Sequence, residues 1–134
     1  MAGHVTTASL GDWVAEELRS DHPDTVFITR TITQETGRWF HDRSADGLEN
    51  AVCEPARTGD PRWDALIEGI IRYRMAQTRL PPPSWTEETT LETGWSPNDH
   101  LYPDDRWRLL NVFHTPAELL EKGVVFARHN LDRL

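Results

Sequence analysis

The sequence predicts a mainly α domain with one small β element (α+β), a single compact domain over residues 1–134. Three observations carry that expectation: apolar residues recur at helical spacing in several segments, strong helix-start signals precede them, and one β-branched run occupies 25–33. The length agrees, since 134 residues and 15.4 kDa suit one core that buries roughly two-thirds of the surface of the unfolded chain.

The first element is read from "SLGDWVAEELRS", where Leu10, Trp13, Val14 and Leu18 fall on one helical face and Ser9 or Asp12 is available as cap. After the turn at His22-Pro23-Asp24, the alternation of Val26, Ile28, Thr29, Thr31 and Ile32 predicts a strand from Thr25 to Thr33. Gly37 permits a bend, and Ser44 can cap a short helix carrying Leu48 and Val52 that ends before Pro55.

Asp60-Pro61 is the clearest start signal in the chain: an acceptor side chain at the N-cap, then proline at N1, where its missing N–H costs nothing. Trp63, Leu66, Ile67, Ile70, Ile71, Arg74 and Met75 follow as a broad stripe, so this helix is expected to be largely buried and to stop near Arg79, ahead of "LPPPSW". Residues 81–105 hold five prolines and two tryptophans without sustained periodicity, an irregular segment of the kind that is more often functional or mobile than accidental. An apolar pattern resumes in Trp107, Leu109, Leu110, Val112 and Phe113. "TPAELLEKG" then reads as a capping box with Thr115 at N-cap, Pro116 at N1, Glu118 at N3 and Gly123 at C′. "VVFAR" reads as a short buried strand, and "HNLDRL" as a terminal helical turn started by Asn130.

Composition narrows the chemistry. Cys53 is the only cysteine, which rules out an internal disulfide and a thiolate cluster and suggests a reducing, cytoplasmic setting. "MAGHVTTASL" lacks the basic and apolar regions of a signal peptide, and no apolar run is long enough to span a bilayer. A net charge of −8 and a pI near 5.1 would repel a phosphate backbone, so direct nucleic-acid binding is not expected. Lys122 is the only lysine beside many arginines, which we read as the mark of a GC-rich bacterial coding sequence.

No catalytic, cofactor or metal residue is assigned. The six histidines include no pair at i, i+3 or i+4. His41-Asp42, with His22 upstream and Asp60 or Asp64 downstream, follows the order of HD-type phosphohydrolases, but "RWFHDRS" lacks their small, apolar helical setting. Asp99, His100, Asp104 and Asp105 lack the alternating oxygen ligands and turn glycine of a calcium loop. Neither a G-x-S-x-G elbow nor a glycine-rich phosphate cradle occurs. Of the six tryptophans, Trp13, Trp39, Trp63 and Trp107 lie in patterned segments and are assigned to the core. Trp85 and Trp95 stand in the irregular segment among charged residues, the setting of interface anchors, and are the candidate partner-binding residues, with core plugging as the alternative.

"TGDPRWDALIEGIIRYR", "LPPPSWTEE" and the close "TPAELLEKGVVFARHNLDRL" resemble a group of small actinobacterial proteins over about residues 48–134. In that group the region follows a helix-turn-helix domain, and the genes often neighbour a nucleotidyltransferase-like toxin. The resemblance implies an antitoxin or accessory protein that binds a cognate protein without catalysis and without cofactor. The chain ahead of Leu48 is read as too short and too threonine-rich for a helix-turn-helix, so operator binding is not expected. A small metal-dependent HD-like hydrolase and a transcriptional regulator are the alternatives.

Overall fold

A computed structural model describes residues 4–98 and 104–132, and among these the chain is mainly helical with almost no strand. The helices are α1 (Thr7–Leu18), α2 (Thr25–Asp42), α3 (Ala45–Ala51), α4 (Pro61–Gln77), α5 (Asp105–Phe113), α6 (Ala117–Leu120) and α7 (Arg128–Leu131), with a 3₁₀ turn over Ser84–Glu87.

α4 forms the axis of the molecule. Asp60 Oδ1 accepts from the Arg62 amide and Pro61 occupies the first turn, as the start signal predicts. Every residue from 63 to 71 is buried, and α6, α2 and the 3₁₀ turn pack around the helix. A helix buried all round lies within a core and not on its face. The chain leaves α4 at Thr78, and Arg79 turns back with a positive φ of 60° ahead of the prolines.

The predicted strand Thr25–Thr33 is instead the first half of α2. Asp24 caps it by accepting from the Phe27 amide, and Ile28, Ile32, Glu35 and Trp39 recur at helical spacing on its buried side. β-Branched residues disfavour a helix only weakly, and tertiary burial overrides them. The buried hydroxyls also find partners within the helix: Thr29 donates to the Thr25 carbonyl, Thr31 to Phe27 and Thr36 to Ile32, at 2.7–2.8 Å. Ahead of Leu48 the described residues thus form α1, α2 and the start of α3, and Gly37 is a buried position inside α2, with no bend. α1 is capped by Thr6, whose hydroxyl accepts from the Ser9 amide, and not by the expected Ser9 or Asp12; α3 is capped by Ser44, as predicted.

Among the described residues the expected β element shrinks to one parallel bridge between Trp95 and Val124. The Trp95 amide donates to the Gly123 carbonyl and the Val125 amide to the Trp95 carbonyl, so "VVFAR" pairs at one point only, and its Arg128 already begins α7, two residues ahead of the predicted start at Asn130. Nor does the Thr115 capping box form. Thr115 donates to the Asn111 carbonyl and accepts from the Phe126 amide, which leaves Pro116 to start α6 without a side-chain cap. Gly123 does hold the predicted C′ place, with φ 80°: its amide donates to the Leu120 carbonyl and that of Val124 to Leu119, a Schellman ending.

Candidate partner interface

Two buried polar systems tie the segments around α4 together. Glu68 and Lys122, 3% and 4% exposed, meet at 2.7 Å. Glu68 Oε1 also accepts from the Thr89 amide, Lys122 Nζ donates to the Thr89 carbonyl, and Arg57 approaches Glu68 Oε2 at 3.6 Å. An ion pair taken out of water is tolerated only when its remaining donors and acceptors are met, and the Thr89 backbone meets them here. The consequence is that the loop leaving the 3₁₀ turn is fastened to α4 and to the end of α6.

A second system closes the C-terminal end. Arg74, buried in α4, donates to the carbonyls of Leu131 and Thr33, tying α7 and α2 together, while Tyr73 donates to Asp132 Oδ1 at 2.8 Å. Burial lowers the Arg74 pKa, and burial together with the Asp132 carboxylate raises that of Tyr73 to about 12.

The two candidate anchors are not brought together. Trp85 is 7% exposed, its indole N–H donates to the Val52 carbonyl at 2.9 Å, and in this chain its ring fills the core. Trp95 is half-buried: its ring meets Trp63 edge to face at 5.3 Å and lies under the Arg62 guanidinium at 5.5 Å. Arg62 is itself fixed by Asp60, and its hydrogen bond holds the Asp60 carboxyl below the usual range. Trp63 and Met75, which pack near the respective anchors, are about 18 Å apart along α4 at 1.5 Å per residue.

Trp95 instead shares a cleft with α5. Gly94, Trp95, Ser96 and Val125 form one wall, and Leu109 and Val112 the other, around roughly 390 Å³. No residue of α5 is buried. Trp107, Leu109, Leu110, Val112 and Phe113 are 55%, 60%, 51%, 38% and 78% exposed, and Leu120 of α6 adds to them. Trp107 was assigned to the core and lies on the surface. Helical spacing explains the pattern: Leu109 and Val112 turn toward the cleft, whereas Trp107, Leu110 and Phe113, at i, i+3 and i+6, lie on the outward side. Sequence reasoning missed this surface because apolar periodicity marks a covered face without saying what covers it.

The residues of the hydrolase alternative disperse. His22 precedes α2 and His41 ends it, so most of an 18-residue helix separates them, and His41 and Asp42 are both exposed. Asp64 is committed to the Thr58 amide and Asp60 to capping α4. Among the described residues no three His, Cys, Asp or Glu side chains gather as metal ligands. Asp99 and His100 lie outside the described residues, while Asp104 caps α5. Among the described residues no helix is long and apolar enough to cross a membrane.

No family model, curated protein or solved structure matches the chain.

Proposed function

We propose that this chain is a non-enzymatic protein-binding component, the antitoxin or accessory member of a bacterial toxin–antitoxin-like pair, and that α5 with the Trp95 cleft docks the cognate protein. One observation carries the reading: a nine-residue helix with five large apolar side chains and no buried residue. A helix that short is marginal in water by itself and draws its stability from a covered apolar face. Its exposed apolar area, with Leu120, is on the order of 500 Å², at the upper end of what monomers leave bare and more than half of one partner's share of a standard interface. The acidic charge of the chain complements a basic partner and speeds encounter. A nucleotidyltransferase-like toxin is the partner the resemblance favours, and the cytoplasm the compartment in which the pair would meet.

The test is co-expression with the products of neighbouring genes, followed by capture on a tag. A stoichiometric companion that is retained by the parent chain and lost on Phe113→Asp supports the reading. Retention of that companion by Phe113→Asp and Leu110→Asp alike removes α5 from it, and a concentration-dependent dimer of the chain alone shows that a second copy covers the face instead.

A further inference from the structure

A second shaped surface lies toward the other end of α4, on residues separate from α5. Between the end of α3 and the turn at 80–83 a groove of about 560 Å³ opens, within the range of sites that bury small ligands or peptide side chains, about 300–1,000 Å³. Val52, Met75 and Trp85 line its buried side, and Leu80 with the three following prolines forms a wall. The hydrogen bond from Trp85 to the Val52 carbonyl fixes the ring, so the apolar side is formed before anything binds.

The polar edge has one sign. Asp46, Glu49 and Glu54 line the groove, all exposed, and no lysine or arginine lines it. Asp46 and Glu49, three apart on α3, share a helical face. Among the described residues none of these carboxylates takes part in an ion pair.

We propose that this groove docks a basic, apolar peptide segment of a partner protein, with an aliphatic side chain against Trp85, Met75 and the proline wall and a flanking arginine or lysine on Asp46, Glu49 and Glu54. Apolar contact supplies the affinity, and the carboxylates select the sign of the flanking charge. Cys53 lines the same groove and is exposed, so its alkylation rate reports occupancy.

The intact chain is titrated into three labelled peptides, alternating arginine–leucine, arginine–glycine and glutamate–leucine, with fluorescence anisotropy as readout. The expected result is saturable binding of the arginine–leucine peptide alone, slower Cys53 alkylation when it is bound, and weakening by about tenfold or more in Glu49→Gln/Glu54→Gln. Because both glutamates are exposed, the melting temperature of that variant should match the parent chain. Equal binding of arginine–glycine would mean charge alone, and equal binding of glutamate–leucine apolar contact alone. Either result, an absence of saturable binding, or alkylation indifferent to the peptide overturns the proposal.

Discussion

At the scale of single residues, the tryptophans divide by where their rings end. Trp85 spends its ring on the core and its N–H on Val52, so Trp85→Ala should destabilise the free chain by about 3–5 kcal/mol, read as a shift in the denaturant midpoint. Trp95 is half-buried beside the cleft, and Trp95→Ala should cost less stability and more partner affinity, measured by calorimetry on the complex. Tyr73 provides a pH signature. Its folded pKa, about 12, is raised above the unfolded value of 10.0, so the folded state holds the phenolic proton more tightly. The resulting stability is fully present below about pH 10 and is lost as pH rises toward 12. Unfolding curves across that interval should fall more steeply for the parent chain than for Tyr73→Phe; parallel curves would show that Tyr73 does not couple to folding.

At the scale of elements, α4 was legible because three independent signals coincide there: an acceptor N-cap, proline at N1 and a long apolar stripe ended by prolines. Leu66 and Ile70 are wholly buried on it, and replacing either with alanine should cost about 2–5 kcal/mol in equilibrium unfolding. Gly69 was not legible as a contact residue. A Cβ there would stand 2.5 Å from Leu119 Cδ2 and 3.4 Å from its Cα, where α6 crosses α4. Leu119 is itself wholly buried and has little room to yield, so Gly69→Ala should destabilise by about 1–3 kcal/mol despite alanine's better helix propensity, and a gain would show that α6 can shift. α2 was misread for a physical reason: Val, Ile and Thr at alternate positions look like a pleated strand, while Ile28, Ile32, Glu35 and Trp39 carry the longer helical period that tertiary burial favours. The bridge at Trp95 and Val124 was misread likewise, since a short apolar run does not say whether it has a strand to pair with.

At the scale of the molecule, the chain has two kinds of apolar surface. Around α4 everything large is covered, by α2, α6, the 3₁₀ turn and the loop fastened through Glu68 and Lys122. Along α5 no residue is buried. Net charge and the single cysteine were legible in the sequence, but the bare face of α5 was not, because an apolar helical stripe reads the same whether or not the chain's own core covers it. The central claim of the proposal is that Leu110 and Phe113 of α5 serve another protein and not the core of this fold. Equilibrium unfolding of the double variant Leu110→Ser, Phe113→Ser, set against the parent chain, tests it most directly. The account predicts midpoints that agree within about 0.5 kcal/mol, as for surface substitutions. A loss of about 2 kcal/mol or more would place these two side chains in the chain's own core and contradict the claim.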